Sequence, residues 1–561
     1  MLYVIRKGGV ELRVEDVVLD LLGEGECFGQ FSLLAHEAPI ATVIAHQNTL
    51  CYLVPEPIAS EVFESEAGRS YLYGLMRSVF HASGDRLLAD RPDARFQSVE
   101  SLLRRPPVTV APETSAADAA ARMTDERVSS LLVRMRGGWG IVTDRDLRTM
   151  VAARRNHDLP VEQIATFPAR ILPSSTTASD ALVEMFAKDV HHFPVADAQG
   201  QILGVVTETD LMGMGRHTPF ALRTSIQRAR DADQAVATAR ELPQVVLALL
   251  VAGADPVDIG RMIALVIDAL TQRLLHLAVD ELGDPPAAWA WLALGSAARQ
   301  EQSLRTDQDH ALAWAGEAPR EESDGYFSAL AERVTVGLEA FGIPRCTGKA
   351  MATNPELRRP LPEFASRFRA WIEEPSFENS ILSSTGFDFR WVAGPLDAEP
   401  TLNAALREAR GYPGFARLLA RRALDLRPPT GFFRDFVLQS QGEQAGRLDV
   451  KHGGITIITN LGRAWGLRAG ATAKGALGRL DAALDAGADA DVVKALGQAF
   501  RYLWEIRLQN QAEEIRTGHQ PDDFVNPAGL GAFVRSGLKE AFRTIARAQR
   551  TLAADFRIER R

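Results

Sequence analysis

The chain has 561 residues, 46% hydrophobic and 24% charged, with 72 acidic against 63 basic side chains and a net charge of −9. That length exceeds what one hydrophobic core supports and implies several domains. The composition excludes a collagenous, disordered or low-complexity chain, and the acidic balance argues against a general nucleic-acid or membrane-surface binder.

Cys27, Cys51 and Cys346 match no zinc or redox spacing and read as core thiols of a reducing cytosol. The opening residues, MLYVIRKGGVELRV, alternate like a strand pair around Gly8-Gly9 rather than forming a charged, then apolar, targeting segment. The best apolar run, VVLALLVAGA, falls short of the roughly 18–20 residues that span a bilayer. These features predict a cytoplasmic protein.

Residues 1 to about 55 read as short strands with glycine turns, and the segment FGQFSLLAHEAPIATV resembles the phosphate cassette of a cyclic nucleotide-binding domain. Gln30 stands where that family places a ribose-binding glutamate, and Pro39 where it places the phosphate-binding arginine. Without the arginine the charge-assisted clamp is lost, so the expected role is structural or dimerising. The first strands of the family's roll have no counterpart, so a truncated roll with helical exit residues is expected over 1–95.

A repeat follows. VTVAPETSAADAAARMTDERVSSLLVRMRGGWGIVTDRDL is echoed by ARILPSSTTASDALVEMFAKDVHHFPVADAQGQILGVVTETDL, with Thr143 and Thr207 64 positions apart. The pair, expected over 96–215, resembles a tandem CBS (Bateman) α/β module. That resemblance implies that Thr143, Asp146, Thr207 and Asp210 face an adenosyl ligand such as AMP or ATP. The same residue types also suit helix capping, so both readings stand. His191-His192 reads as core or ligand lining, not as a metal site.

From about 216 to 288 apolar residues recur at helical spacing. WAWLALGSAARQEQSLRTDQDHALAW then joins an apolar strand ending in Gly295-Ser296 to a second strand opened by Asp307 and Asp309. One intervening residue puts both carboxylates on one strand face. Two like charges held together call for a cation, and Mg²⁺ suits one or two carboxylates plus phosphate oxygens. The glycine permits close backbone approach, and Ser296 offers a hydroxyl and N–H groups to an anion.

This arrangement resembles the polymerase-β nucleotidyltransferase superfamily. Its fuller form, GSxxRxExxxxTDQDxAL, resembles the bacterial signalling nucleotidyltransferases related to PII-protein uridylyltransferase. The resemblance implies Mg²⁺ (or Mn²⁺) at Asp307 and Asp309, UTP or ATP as substrate, and Arg299, Glu301, Gln302 and Thr306 shaping the nucleotide site. It also implies a third carboxylate from a later strand, which Asp388 in STGFDFRWVAG supplies, with Arg390 on its face to pair it or meet phosphate. RLDVKHGGITII is similar to the Asp-x-Lys-x-x-Gly-Gly segment of the same enzymes and nominates Lys451 as a phosphate contact. The Arg-Asp pair that usually follows is absent, and Gly453-Gly454 also suits a tight turn. No His-Asp cluster of the phosphohydrolase type is present in the sequence.

The expected architecture is therefore multidomain α+β. A partial antiparallel β-roll and the CBS pair precede a helical lead-in and polymerase-β-like nucleotidyltransferase head (216–398), followed by a C-terminal α-helical substrate-binding bundle (399–561). Expected partners are a nucleoside triphosphate, a protein acceptor and a second copy in a homodimer, with neither nucleic acid nor membrane. A non-catalytic nucleotide-sensing regulator is the alternative. A tRNA nucleotidyltransferase, another company that CBS pairs keep, lacks support from this acidic chain.

Overall fold

A computed structural model describes residues 1–14, 17–30, 33, 42–64, 98–188, 190–212, 218–251, 254–375, 386–429, 436–439, 444–472 and 475–558. The chain divides into two compact units: 1–90 with 225–243 and 263–561, and 91–224 with 244–262. Pro39 and most of the expected helical exit and linker lie outside the described residues.

The first 54 residues form two three-stranded antiparallel sheets. Leu2–Lys7 lies between Cys27–Phe28 and Leu50–Val54, and Val10–Val14 lies between Val17–Leu22 and Thr42–Ala45. Gln30 is buried with its Oε1 lacking a partner.

In the second unit each repeat forms a three-stranded sheet. Ser130–Met135 and Gly138–Thr143 make an antiparallel pair joined by a parallel strand, and His192–Ala196 and Ile202–Thr207 repeat it. The Ser129 hydroxyl and His192 Nε2, 2.7 Å apart, tie one repeat to the other.

The helix Pro256–Leu282 is, by length and composition, apolar enough to cross a membrane, which the run of consecutive apolar residues did not disclose. Within the fold 61% of its apolar window is buried. Its Asp258 and Asp268 pair with Arg261 and Arg390.

The head is a four-stranded sheet in the order Arg358–Pro360, His310–Ala315, Ala288–Leu294, Phe389–Ala393. The two central strands are antiparallel, with Ala293 opposite His310. Trp289, Trp291, Leu292 and Leu294 on one, and Ala311, Leu312, Ala313 and Trp314 on the other, are buried. Both faces are thus covered, which explains a near-continuous apolar run where a half-exposed strand would alternate. Three long helices, Thr456–Ala469, Ala490–Arg516 and Ala532–Asp555, form most of the C-terminal bundle.

Candidate functional site

The site is built where the two central strands of the head end. After Leu294 the chain turns through the short helix Gly295–Ala298, with Gly295 at φ +53° and its N–H donating to the Asp388 carbonyl at 3.0 Å. Gln300, also left-handed at φ +55°, reverses the chain so that Arg299 and Glu301 point back toward the strand ends. On the returning strand, alternation divides the labour. Gln308 and His310 go inward, where Gln308 Nε2 donates to the Thr335 and Ile343 carbonyls and His310 Nδ1 accepts the Ala352 N–H at 3.0 Å. Burial holds the His310 imidazole down at about 3, so it is a neutral brace. Asp307 and Asp309 take the opposite face.

Gly295, Ser296, Arg299, Glu301, Asp307, Asp309 and Lys451 all line one cavity of about 370 Å³. The glycine-serine turn, both aspartates and the bundle lysine, nominated separately by spacing and by motif, therefore line one wall. Burial, reinforced by Asp307, pushes the Asp309 carboxyl up to about 7. A cation there would stabilise both charges. One oxygen from each aspartate and the Cys346 Sγ lie within 4.8 Å of one another, a spacing that fits a bound metal ion. Burial, and then Asp309, push the Cys346 thiol up to about 11.

Asp388 does not join them. It is fully buried, and its carboxylate is held by Arg299, Arg463 and Arg479, each at 2.5 Å. Burial works against its charge, but the three guanidinium groups hold its carboxyl well below the usual range. The expectation of Asp388 as third metal ligand and possible base is therefore corrected: it anchors arginines that line and back the cavity. Burial lowers Arg463 while Asp388 opposes the shift. Both tendencies have one origin, three cations sharing a single carboxylate in dry surroundings. Arg390 does not pair with Asp388: it is bonded to Asp268 at 2.8 Å and to the Ala297 carbonyl, and it is not among the residues lining the cavity.

Three further expectations need adjustment. Glu301 lines the cavity, but one oxygen accepts the Ala476 N–H at 2.6 Å, capping the bundle helix Ala476–Asp485, and the other accepts Arg299 Nε at 2.7 Å. Its role is to join head and bundle. Gln302 and Thr306 are absent from the cavity lining and brace the loop through a 3.3 Å contact between them. Gly453-Gly454 lies in a π-helical turn, not a tight one, and a Cβ on Gly454 would come within 2.6 Å of Leu503. Lys451, on the same turn, reaches Asp523 at 3.7 Å, and Asp523 also holds Arg507 at 2.7 Å.

The residues that sequence reasoning missed come mainly from the bundle. Arg422, Thr456, Thr459, Asn460, Arg463 and Arg507 complete the cavity wall. Arg463 and Arg479 carried one legible signal, a single arginine among apolar helical neighbours, which demands a buried partner.

In the CBS pair both motifs form helix caps. The Thr143 N–H and hydroxyl donate to Asp146 Oδ2 at 2.8 and 2.7 Å, and those of Thr207 to Asp210 Oδ2 at 2.9 and 2.6 Å. Asp210 is also paired with Arg104 at 3.0 Å.

The cavity is lined by a carboxylate pair, a glycine-serine turn and bundle cations, and the segments that build it match known families. Residues 240–378 match the family described as "Putative nucleotidyltransferase DUF294", 413–556 match "Putative nucleotidyltransferase substrate binding domain", and 99–153 and 161–215 each match the CBS domain. The chain thus carries a nucleotidyltransferase-type head with its C-terminal substrate-binding domain, fused to a CBS pair.

Among curated proteins it is similar to an uncharacterized 17.7 kDa protein of Acidianus ambivalens, 32% identical over 104 residues, 18% of this chain and 63% of that one. It is also similar to inosine-5′-monophosphate dehydrogenase of Aquifex aeolicus, 31% identical over 152 residues, 27% of this chain and 30% of that one. The chain therefore spans under two thirds of the length of either relative. Similar solved structures include a CBS domain protein from Pyrobaculum aerophilum complexed with AMP, 24% identical, covering 21% of this chain and 92% of that one with a TM-score of 0.20. A CBS-domain protein from Agrobacterium tumefaciens is 26% identical, covering 20% and 95% with a TM-score of 0.19.

Proposed function

We propose that the protein is a signalling nucleotidyltransferase that moves a nucleoside monophosphate from UTP or ATP to a hydroxyl of an acceptor protein, in the manner of the PII uridylyltransferases its motifs resemble. The observation that carries this reading is the convergence of Asp307 and Asp309 with Gly295, Ser296 and Lys451 on one cavity wall. In the transfer, the acceptor oxygen bonds the α-phosphorus as the bond to the bridging oxygen breaks, pyrophosphate leaves, and the hydroxyl proton passes to solvent. Ser296 and Lys451 bind phosphate oxygens, Asp307 and Asp309 hold the divalent cation, and Arg463, Arg299 and Asp388 fix the wall. Mg²⁺ or Mn²⁺, when bound, supplies positive charge to the phosphates and to the attacking oxygen.

A larger groove of about 1740 Å³ shares Arg422, Asp425 and Leu426 with the cavity. Arg417, Arg421, Arg427 and Arg557 line it beside Leu418, Pro428 and the exposed Val437 and Leu438. Basic and aliphatic, with no phenylalanine, tyrosine or tryptophan among its described lining residues, it suits an acidic protein segment better than a nucleic acid.

The CBS pair is proposed to bind AMP or ATP and regulate the head, and the protein to act in the cytoplasm as a homodimer. The N-terminal strands favour a dimerising role over cyclic nucleotide binding. Leu50, Tyr52 and Leu53 on an outer strand and Ile58 and Val62 on the following helix are each more than half exposed. One observation favours a second reading, a nucleotide-sensing regulator without turnover: Asp388 is committed to three arginines, so it adds no third carboxylate to the Asp307–Asp309 pair. Pyrophosphate release with each of the four nucleoside triphosphates separates the two, because binding without release supports the regulator.

A further inference from the structure

Cys346 is presented to the aspartate pair by a defined piece of backbone. Arg345 bridges in parallel to Gln308, and the turn after Cys346 is closed by the Lys349 N–H donating to the Cys346 carbonyl at 3.0 Å. The Cys346 Sγ and an oxygen from each of Asp307 and Asp309 all lie within 4.8 Å of one another. Cys27 and Cys51 lie on the N-terminal strands and take no part in this group.

A second feature of the same cavity calls for a charged ligand. Arg463, 6% exposed on the cavity wall, has an Nε with no partner. A buried donor left unmet is costly unless a ligand satisfies it, and a phosphate there would bring its cation to the aspartates.

Two carboxylate oxygens and one thiol form a different donor set from three carboxylates. Mg²⁺ takes oxygen donors and sheds its water reluctantly, whereas sulfur favours Zn²⁺, Co²⁺ and softer cations. Asp388, the acid that would have made the set all-oxygen, is committed to three arginines. Resting on the reading of Asp307 and Asp309 as a cation site, we propose that Cys346 is the third protein ligand of that site and biases it toward thiophilic divalent cations over Mg²⁺. On binding, a metal–sulfur bond forms as the S–H bond breaks, and the proton leaves to solvent.

The test is titration of the full-length protein with Co²⁺, followed by absorption and calorimetry. The expected result is one equivalent bound with a sulfur-to-cobalt charge-transfer band in the near ultraviolet. The band is retained in Cys51→Ser and lost in Cys346→Ser, with Co²⁺ affinity falling ~10-fold or more and Mg²⁺ affinity nearly unchanged. Cys346→Asp, whose folding is checked by thermal unfolding, is expected to bind Co²⁺ without the band and to gain affinity for Mg²⁺. Cobalt bound with no band in the wild type overturns the ligand role of Cys346 while leaving the aspartate pair as a cation site. No cobalt bound overturns both.

Discussion

Replacing Asp388 with asparagine keeps the side chain's shape and removes its charge, which separates an anchor from a metal ligand. Arg299, Arg463 and Arg479 converge on this carboxylate, and Glu301 is the other acid in the buried group. Three positive and two negative charges leave a surplus of one, and the substitution raises it to two in a largely buried group. Breaking a buried pair in this way costs ~3–5 kcal/mol. For a unit of this size that corresponds to a fall in Tm of roughly 5 °C. The low carboxyl pKa adds a pH signature. A carboxyl held below its unfolded value stabilises fully above about pH 4 and loses that contribution as pH falls through the folded value. The wild-type advantage over Asp388→Asn should therefore shrink on acidification. Asp309→Asn is the control: its carboxyl, pushed up to about 7, gains little from its charge in the fold, and Tm should move by no more than ~2 °C. Calorimetric unfolding and Mn²⁺ binding, measured on both variants, provide the comparison. An unchanged Tm in Asp388→Asn together with lost Mn²⁺ binding would refute the anchoring role and restore Asp388 as a ligand.

Glu301→Ala removes both the cap on Ala476 and the Arg299 pair, and is expected to destabilise by ~2–3 kcal/mol in denaturant unfolding. Lys451→Ala breaks only a 3.7 Å, partly exposed contact with Asp523, so stability should hold within ~0.5 kcal/mol while nucleotide affinity, read by calorimetry, falls ~10-fold. Burial, with His191 adding to it, lowers His192 to about 4. The unfolded imidazole takes its proton near pH 6.5, so this contribution to CBS stability is complete above that value and declines as pH falls toward 4. His192→Gln should flatten that slope in thermal scans across pH 4–7. Gly454→Ala forces a Cβ to within 2.6 Å of Leu503 and should cost ~1–3 kcal/mol.

Local signals in the sequence were informative where function depends on neighbours in the chain. The Gly-Ser turn, the alternation that sends Asp307 and Asp309 to one face, and the 64-residue repeat are all short-range patterns. Lys451 reached the same cavity because a motif, not a spacing, nominated it. The misreading of Asp388 has a physical cause: its arginine partner at 463 lies 75 residues downstream on another element, and a charge partner that distant leaves no periodic trace. Glu301 looked like a site acid, yet its partner is the Ala476 backbone, 175 residues away. Cys346 read as a core thiol because no second cysteine or histidine lies at metal spacing, whereas the structure supplies its partners from a neighbouring strand. Gln302 and Thr306 share the motif with the aspartates but turn to the loop interior, which residue type alone does not determine.

The central claim is that Asp307 and Asp309 hold the cation through which this cavity carries out nucleotidyl transfer. The most direct measurement incubates the full-length protein with α-phosphate-labelled UTP or ATP, divalent cation and candidate acceptor proteins, beside Asp307→Asn and Asp309→Asn variants of unchanged thermal stability. The account requires covalent label on an acceptor with the wild type and its loss in both variants. Label transfer that persists undiminished in the variants would contradict it.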